Sequence, residues 1–521
     1  MITPEKSKKK RRVAKNVIAA ATSADDKIII AEPILKQIGK IADQLNVEIY
    51  IVGGYVRDYY LKKKRNDFDF TIVGDALEFA KELAKRFKSK AITYPKFRTA
   101  MVPIGKYKFE FVGTRKEEYK RNSRKPIVTI GTLEDDLRRR DFTINAIAVS
   151  LNKDNFGKVI DKFHGLIDIR SKILKTPLDP PTTFTEDPLR MLRAIRFASQ
   201  LGFLIHQACY FAIKRLSSRI EIISQERITE EFLKILKSPK PSHGLYMLYD
   251  TGLMKIIFPE VAAMAGVETV THNGREYKHK DVMLHTFQVI DNLAPKTDNV
   301  WLIFAALMHD IAKPITKRFN ENNGWTFHGH EELGARHVER VFRRMKLPMD
   351  KVPYVEKLVR LHQRPMALVD EGVTDSAVRR LAFHVGDALE DLFILCKADI
   401  TTNNPRLSFR YFQNYDRVFA KVLEVQEKDK LREFQSPVKG DEIMEITGLP
   451  PSKMIGNLKT KIEEAILDGI IPNEHDKAKE FFLQNKDKWI DELTPPVIDD
   501  NDDDLELDPD DSEDQINLNI N

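Results

Sequence analysis

Two glycines and three carboxylates near the N-terminal end of the chain have the residue types that phosphoryl transfer needs. Gly53 and Gly54 follow the apolar segment VEIYIV, and Asp67 and Asp69 stand two residues apart in DFDFTIV. Residues i and i+2 of a strand face the same side, so these two carboxylates are predicted to share divalent ions for in-line phosphoryl transfer. The glycines let backbone amides approach a phosphate at the start of the next helix. Glu110, in YKFEFVG, is predicted to supply a third carboxylate from a later strand.

A second set of histidines and carboxylates has the order of a metal centre. It consists of His285, the pair His309-Asp310 at the end of an apolar run, and the distant Asp399. Imidazole and carboxylate together suit manganese, nickel or iron, and magnesium is also compatible with the carboxylates. Two such ions can activate a water to attack a phosphoester, so the sequence predicts a second, hydrolytic site.

Apolar patterns predict the elements that position both sets. Helical and strand-like segments alternate up to about residue 150, which is typical of a compact α/β domain. Beyond residue 185 strand patterns almost vanish, and amphipathic helices run to about residue 490. The predicted division is a disordered basic leader (1–30), an α/β head (31–175), a helical neck (176–270), a second helical domain with the histidines (271–410), a helical tail (411–493) and a disordered acidic tail (494–521).

Composition and charge indicate a polyanionic partner. The net charge is +6, with 42% hydrophobic and 31% charged residues. The 11 acidic residues after position 498 offset a net charge of +17 on residues 1–498. This positive charge favours nucleic acid as the binding partner. Cys209 and Cys396 lie far apart, which excludes a disulfide framework and predicts a cytoplasmic protein. No apolar run approaches the roughly 20 residues of a membrane span, so no membrane partner is expected.

Four segments in order resemble the signatures of the class II nucleotidyltransferases, which include CCA-adding enzymes and bacterial poly(A) polymerases. They are IVGGYVRDYYL with DFDFTIV, RRRDFTINAIA (Arg138–Ala148), TEDPLRMLRAIRFASQLGF (Thr185–Phe203) and SQERITEEFLKIL (Ser224–Leu236). The histidine set resembles the HD phosphohydrolase superfamily, which occurs fused to some bacterial CCA-adding enzymes. This resemblance implies metal ligands at His285, His309, Asp310 and Asp399, and also at His330 and His362, which fall where two-metal members place extra ligands. The resemblance implies an α/β, polymerase-beta-like nucleotidyltransferase head followed by an all-α body that includes a helical HD domain.

The resemblance also implies roles for individual residues. Asp67 and Asp69 would bind magnesium, with Glu110 assisting. The implied substrates are tRNA, CTP and ATP. Residues implied to bind the nucleotide triphosphate and ribose are Gly53, Gly54, Arg57, Arg140, Asp141 and Asn145.

The third signature allows an argument about base selection. Glu186, Asp187 and Arg190 are predicted to open a helix, with Asp187 and Arg190 on one face at spacing i, i+3. Asp offers acceptors and Arg offers donors, which match the amino group and ring nitrogen of cytosine and adenine but not the reversed edges of uracil and guanine. Arg193 and Arg196 continue this face and are predicted to steer phosphates or brace the pocket.

Two alternatives to CCA addition stay open. A poly(A) polymerase of the same family is one, although PKFRTAMVPIG (Pro95–Gly105) is closer to the CCA-adding pattern. An HD phosphohydrolase whose head only binds RNA is the other. The basic segment RKEEYKRNSRKP (Arg115–Pro126) is predicted to be a loop that favours full CCA addition, and Pro437–Asn473 is predicted to dock tRNA through phosphate contacts.

Overall fold

The computed structural model describes residues 27–63, 68–118, 127–272, 275–321, 324–369, 375–429 and 436–493. Asp67, the middle of the basic loop, most of the leader and the whole acidic tail lie outside these ranges. The chain divides into two compact units, Met1–Pro365 with Asp387–Tyr415, and Met366–Gly386 with Asp416–Asn521. Across the described ranges, no helix is both long and apolar enough to cross a membrane.

The first unit begins with nine strands, seven of which form one mixed sheet. The strands of this region are β1 (Glu48–Val52), β2 (Phe68–Val73), β3 (Ile92–Tyr94), β4 (Thr99–Ile104), β5 (Tyr107–Gly113), β6 (Arg115–Glu118), β7 (Ile127–Ile130), β8 (Ala148–Ser150) and β9 (Val159–Ile160). The order in the sheet is β3-β4-β5-β2-β1-β8-β9. Strands β2 and β5 are parallel, and the other neighbours are antiparallel.

Helices cover the sheet because their apolar residues recur on one side. In the first helix Leu35, Ile38 and Ala42 are fully buried, at the spacing of one helical face. The side chain of Asp75 accepts hydrogen bonds from the backbone N–H of Leu77 (2.8 Å) and Glu78 (3.1 Å), which caps the third helix. The helices of the head are α1 (Pro33–Gln44), α2 (Gly54–Tyr60), α3 (Ala76–Arg86), α4 (Leu133–Arg138) and α5 (Gly165–Ser171).

The basic segment predicted as a loop is in part a hairpin. Arg115–Glu118 forms β6, which pairs antiparallel with β7, Ile127–Ile130. The prediction of a loop from residue 115 was therefore wrong for its first four residues. The segment RKEE is fully charged and shows no apolar alternation, so its sequence does not predict a strand. The strand forms through backbone hydrogen bonds to its partner.

Helices dominate the neck, as predicted. Cys209 is buried on one of them, and Cys396, on a later helix, is also buried and free. The elements of the neck are β10 (Ile173–Leu174), α6 (Pro180–Glu186), α7 (Leu189–Leu201), β11 (Leu204–Ile205), α8 (Gln207–Leu216), α9 (Gln225–Leu236), α10 (Pro241–Asp250), α11 (Leu253–Ile257) and α12 (Pro259–Ala262).

The histidine-containing region is helical but also has two hairpins that the sequence patterns did not predict. These are β12 (Thr269–His272) with β13 (Arg275–Lys278), and β14 (Arg318–Asn320) with β15 (Gly324–Thr326). Each strand has only three or four residues, too few for alternation to be visible. The helices are α13 (Val282–Leu293), α14 (Val300–Met308), α15 (Lys313–Thr316), α16 (His330–Met345), α17 (Val352–Leu361), α18 (Arg364–Ala367), α19 (Asp375–Val385), α20 (Leu389–Ala398) and α21 (Pro405–Asp429).

The second unit contains α19 and the last three helices, α22 (Gly440–Thr447), α23 (Lys453–Leu467) and α24 (His475–Leu493). Its small core is formed by Ile443, Leu458, Ile462 and Phe482, all fully buried, with Trp489 at the edge. The segment Pro437–Asn473, predicted to dock tRNA, therefore folds as two helices that share one apolar core with α24.

Candidate functional site

Two of the three predicted catalytic carboxylates are neighbours in the sheet of the head. Asp69 on β2 stands opposite Glu110 on the parallel strand β5, and its other neighbour is Val52 at the end of β1. Burial, then the negative charge of Asp69, raises the pKa of Glu110. A cation between them would relieve this repulsion. Asp67 lies outside the described residues, so its place beside Asp69 stays a prediction.

The glycine turn lies against the same carboxylate. Gly53 has φ +70°, and a Cβ added to it would stand 3.2 Å from Nη1 of Arg140 and 3.6 Å from Oδ2 of Asp69. A Cβ on Gly54 would stand 3.6 Å from Nη2 of Arg57. The left-handed backbone and the crowding both favour glycine at position 53. The structure thus brings the turn, two predicted arginines and Asp69 together.

A chain of hydrogen bonds joins the head to the neck. Arg57 Nη1 donates to Asn145 Oδ1 (2.9 Å), and Asn145 Nδ2 donates to Asp141 Oδ1 (3.0 Å). Arg193 Nε, from α7, donates to the other oxygen of Asp141 (2.9 Å). Three residues implied in nucleotide binding, Arg57, Asn145 and Asp141, are therefore linked to one another, and Arg193 holds Asp141 from the neck.

Stability should depend on pH through Asp141. Burial opposes its charge, but Arg193 and Asn145 lower the pKa of Asp141 from 3.8 to about 2. A folded-state pKa below the unfolded one means that this stabilisation, about 2–3 kcal/mol, is complete above pH ~4 and is lost as the pH falls toward ~2. We expect Asp141→Asn to flatten the pH dependence of urea unfolding in that window. An unchanged slope would show that Asp141 is not the group responsible.

Phe197 and Glu231 are members of this site that sequence reasoning missed. The guanidinium groups of Arg57, Arg193 and Arg196 lie 5.2, 5.5 and 4.2 Å from the centre of the Phe197 ring. Arg196 Nε also lies 2.7 Å from Oε2 of the buried Glu231, on α9. These contacts hold Arg193 and Arg196 against the Phe197 ring, and their bracing of the nucleotide pocket stays a prediction. Phe197 lies in RFASQ and Glu231 in ITEEF, both within the quoted signatures, but only the fold shows that they contact the arginines.

The proposed base-selecting residues do not open one helix, so that prediction was wrong. Glu186 ends α6, Asp187 has an extended backbone (φ −137°, ψ 96°), and α7 begins only at Leu189. The signal was Pro188, since a residue before proline avoids the helical conformation. Arg190 pairs with Glu186 (3.5 Å), while Asp187 lies 3.8 Å from Arg227 on α9. Arg227 is thus a further charged group at this position.

A buried aspartate, not predicted from the sequence, positions two arginines of the second signature. Asp136 is fully buried on α4. It accepts hydrogen bonds from Arg139 Nε (3.0 Å), Arg140 Nη2 (3.2 Å) and the hydroxyl of Thr71 on β2 (3.1 Å). Because Arg140 contacts the Gly53 turn, Asp136 links the sheet to the residues implied in triphosphate binding.

Asp136→Asn is expected to lower the free energy of unfolding by about 3 kcal/mol, because two guanidinium groups would lose their shared buried carboxylate. Urea unfolding followed by circular dichroism measures this change. The matched control is Asp135→Asn. The Asp135 carboxylate accepts the backbone N–H of Thr132 at the start of α4, and an asparagine side chain can accept the same hydrogen bond. The free energy of unfolding should therefore fall by less than about 1 kcal/mol. Equal losses for the two variants would contradict a special role for Asp136.

The six histidines and carboxylates predicted as metal ligands lie together in the first unit. Each stands at or near a helix end or in the first turns of a helix, and they come from five places in the chain. We call this set the HD cluster: His285, His309, Asp310, His330, His362 and Asp399.

Asp310 is the centre of the HD cluster. Its Oδ2 lies 3.2 Å from Nε2 of His309 and 3.6 Å from Nε2 of His285. Its Oδ1 lies 3.3 Å from Nε2 of His330 and 3.9 Å from Nε2 of His362. Two groups of three ligand atoms result, His285 with His309 and Asp399, and Asp310 with His330 and His362. One carboxylate facing both groups is the arrangement of a two-metal site.

The histidine rings are oriented as metal ligands require. Nδ1 of His309, His330 and His362 each lies 2.7 Å from a backbone carbonyl oxygen three residues earlier, so Nδ1 donates and Nε2 carries the lone pair. Within the described part of the chain, His309 Nε2, His362 Nε2 and Asp310 Oδ1 are buried without a hydrogen-bond partner. These residues therefore fit divalent metal ions.

The electrostatics of the HD cluster favour positive charge at its centre. Burial opposes protonation of His309, yet the carboxylate of Asp310 raises the pKa of His309 to about 9. Burial, then the charge of His309, lowers the pKa of His362 to about 4. Lys313, missed by sequence reasoning, lies with Nζ 2.7 Å from Oδ2 of Asp310. Its spacing in HDIAK, three residues after Asp310 on one helical turn, was the available signal.

Three family models match the chain in order. The Poly A polymerase head domain matches residues 49–175, the Probable RNA and SrmB- binding site of polymerase A matches 202–264, and the HD domain matches 281–404. Proteins of the nucleotidyltransferase and HD families use divalent metals, in agreement with the two sets of residues described above.

The similar proteins bear names of tRNA nucleotidyltransferases and CCA proteins. An A-adding tRNA nucleotidyltransferase of Aquifex aeolicus is 42% identical over 199 residues, 36% of this chain and 24% of that protein, so the chain matches only about a quarter of that relative. The Multifunctional CCA protein of Psychromonas ingrahamii is 33% identical over 312 residues, 58% of this chain and 71% of that protein.

Solved structures agree with the sequence relatives. The structure of a tRNA nucleotidyltransferase complexed with a primer tRNA and an incoming ATP analog is 25% identical, with a TM-score of 0.53, and the match covers 76% of this chain and 99% of that chain. The polymerase-beta-like head, the helical body and the HD domain thus follow one another along this chain. The protein belongs to the CCA-adding tRNA nucleotidyltransferase and poly(A) polymerase family, in its bacterial type with an HD domain.

Proposed function

We propose that this protein is a tRNA nucleotidyltransferase that builds or repairs the 3′-terminal CCA of tRNA from CTP and ATP. The observation that carries the proposal is the position of Asp69 beside Glu110 and Gly53 in a chain 33% identical to a multifunctional CCA protein. A solved relative is complexed with a primer tRNA and an ATP analog, which are the substrate types proposed for this chain.

In the proposed reaction the 3′ oxygen of tRNA attacks the α-phosphorus of the nucleotide, the bond to pyrophosphate breaks, and the hydroxyl proton passes to solvent. Magnesium, held by Asp67, Asp69 and Glu110, would stabilise charge on the attacking and leaving oxygens. The Gly53–Gly54 turn leaves room for the triphosphate beside Arg57 and Arg140. Asp141 and Asn145 would orient Arg57 and contact the ribose.

Base selection is assigned to Asp187 and Arg190. The Asp187 carboxylate would accept from the amino group of cytosine or adenine, and Arg190 would donate to the neighbouring ring nitrogen. Arg190 already donates to the backbone oxygen of Arg139 (2.7 Å) and pairs with Glu186. These contacts fix its guanidinium, and a fixed donor rejects uracil and guanine because their edges would leave buried groups unpaired.

For the HD cluster we propose hydrolysis of a phosphoester on RNA, such as a 2′,3′-cyclic phosphate or a 2′-phosphate. Manganese, nickel or magnesium held by the six ligands would supply an activated water. The water oxygen bonds to phosphorus, the ester P–O bond breaks, and the ribose oxygen leaves with a proton. Lys313, beside Asp310, would neutralise charge on the phosphate.

A second candidate is addition of only the terminal A. It is favoured by the name of the Aquifex aeolicus relative, an A-adding tRNA nucleotidyltransferase with 42% identity. Such an enzyme would extend only tRNA that already ends in CC, and CTP would not be used.

The proposal is tested by offering the protein CTP, ATP, GTP and UTP with either tRNA lacking CCA or an unrelated RNA. We expect incorporation of C and A into tRNA only. Long A tails on both RNAs would indicate a poly(A) polymerase. Hydrolysis without any incorporation would indicate an HD phosphohydrolase whose head only binds RNA.

A further inference from the structure

The four histidines of the HD cluster differ in what holds their Nδ1 atoms. In His309, His330 and His362 each Nδ1 donates to the backbone carbonyl three residues earlier, at 2.7 Å. In His285 the neighbour of Nδ1 is instead the side-chain hydroxyl of Thr401, at 3.0 Å. The orientation of the His285 ring therefore depends on a side chain, which a point substitution can remove without disturbing a backbone group.

The position of each histidine in its helix explains this difference. His309 and His362 directly follow the last residues of α14 and α17, where the carbonyls of the final turn have no partner within the helix. His330 opens α16, and the carbonyl that it uses lies before the helix. His285 lies inside α13, where carbonyl groups accept the N–H four residues further on. A ring at this position needs a partner from elsewhere in the chain, and Thr401 supplies it.

The segment that carries Thr401 also carries a predicted metal ligand and is fixed to the helix of His285. Asp399 Oδ1 lies 2.9 Å from Nε2 of His285, so both ring nitrogens of His285 contact this segment. Asn292, also on α13, donates from Nδ2 to the carbonyl of Ala398 (3.0 Å). The hydroxyl of Thr401 is thus held at a set distance from the His285 ring.

A hydroxyl group can hold the His285 ring in either tautomer. When Nε2 carries the proton, it donates to Asp399, and Nδ1 accepts the O–H of Thr401. When the lone pair of Nε2 faces a divalent ion, Nδ1 carries the proton and donates to the same hydroxyl oxygen. A carbonyl group only accepts, so it supports one tautomer alone. Thr401 therefore keeps the ring in place while the proton changes nitrogen.

The ligand group that contains His285 is also the more accessible of the two groups. The side chains of His285 and Asp399 are 15% and 33% exposed, whereas those of Asp310, His330 and His362 are at most 4% exposed. His285 and Asp399 line a cavity of about 490 Å³ to which both hairpins of this region contribute. A ring beside an open cavity has less packing to hold it than a buried ring, so its hydrogen bond matters more.

We propose that Thr401 is a positioning residue that orients His285 for one of the two metal positions, the position formed by His285, His309 and Asp399. This rests on the proposed metal-dependent function of the HD cluster and adds to it a residue that is not itself a ligand. The other position, formed by Asp310, His330 and His362, does not depend on Thr401. One substitution should therefore separate the two positions.

The test is a titration of the metal-free full chain with nickel in the presence of excess magnesium, which occupies the carboxylates of the head. Isothermal titration calorimetry counts the equivalents of nickel bound and gives the dissociation constant of each. We expect two equivalents in the unmodified protein. Thr401→Val keeps the shape of the side chain and removes the hydroxyl, so it should raise one of the two dissociation constants by about tenfold or more and leave the other unchanged.

Three further variants separate a positioning role from a general effect on the fold. Thr401→Ser keeps the hydroxyl and should keep both dissociation constants. Thr402→Val removes a neighbouring hydroxyl, which accepts the backbone N–H of Asn404 (3.3 Å), and should also keep both. In a protein that already carries His285→Ala, the addition of Thr401→Val should change neither constant further, because the two residues act through one contact.

Two results would overturn this proposal alone: dissociation constants in Thr401→Val equal to those in Thr402→Val, or a further loss of affinity when Thr401→Val is added to His285→Ala. An unmodified protein that binds no nickel would overturn both this proposal and the proposed function of the HD cluster. Because binding is measured without a phosphoester substrate, a failure of hydrolysis would leave the result for Thr401 intact.

Discussion

Asp69→Asn is expected to reduce nucleotide addition to tRNA by roughly 10³-fold, with binding of tRNA unchanged. Asparagine keeps the size of the side chain but removes the charge that would hold magnesium. Asp69 stands beside both Glu110 and the Gly53 turn, so no other described carboxylate occupies the same position in the sheet. Initial rates of CMP and AMP incorporation at saturating magnesium measure the effect.

The matched control for this change is Glu78→Gln, an exposed carboxylate in the first turn of α3. It should leave the rate within about twofold of the unmodified protein, since an isolated surface charge contributes little. If Asp69→Asn retained more than a tenth of the activity, the assignment of the two-metal site to β2 would be wrong.

Asp310→Asn is expected to remove bound transition metal from the HD domain and to reduce the rate of phosphoester hydrolysis at least 100-fold. The rate of nucleotide addition should not change. The reason is geometric: the two oxygens of Asp310 face His309 on one side and His330 on the other, so both proposed metal positions lose a ligand. The two measurements are the metal content of the dialysed protein and the rate at which it hydrolyses adenosine 2′-monophosphate.

Glu339→Gln, an exposed carboxylate on α16 paired with Arg343, is the matched control and should retain metal and hydrolysis. A metal content in Asp310→Asn equal to that of the control would contradict the two-metal assignment. A parallel loss of nucleotide addition would show instead that the variant disturbs the fold of the first unit.

Much of the head and of the HD cluster follows from local patterns in the sequence. The glycine turn between a buried strand and a helix is visible because apolar β1 ends where Gly53 and Gly54 begin. The six histidines and carboxylates of the HD cluster were predicted from their order and from the resemblance to the HD superfamily, and the structure places them in two neighbouring groups of three. The apolar periodicity of the segments around these residues was sufficient to predict that they lie on helices.

The contacts that were missed join residues far apart in the chain. Asp136 meets Thr71, and Arg196 meets Glu231, through packing that no periodicity encodes. The hairpins over the HD cluster were missed because three- and four-residue strands take their hydrogen bonds from a partner and show no alternation. Asp187 was wrongly predicted to lie in a helix with Arg190 because the prediction relied on their i, i+3 spacing. Pro188 follows Asp187 in the sequence, and a residue before proline avoids the helical conformation.

Sequencing of 3′ ends tests the central claim most directly. The protein is incubated with tRNA transcripts ending at the discriminator base, at C and at CC, each with CTP, ATP or both. We predict accurate completion to CCA on all three transcripts when both nucleotides are present, and none of it in Asp69→Asn. Addition of A only to the transcript ending in CC would identify the A-adding reaction instead. No incorporation on any transcript would contradict the account of the head as a tRNA nucleotidyltransferase.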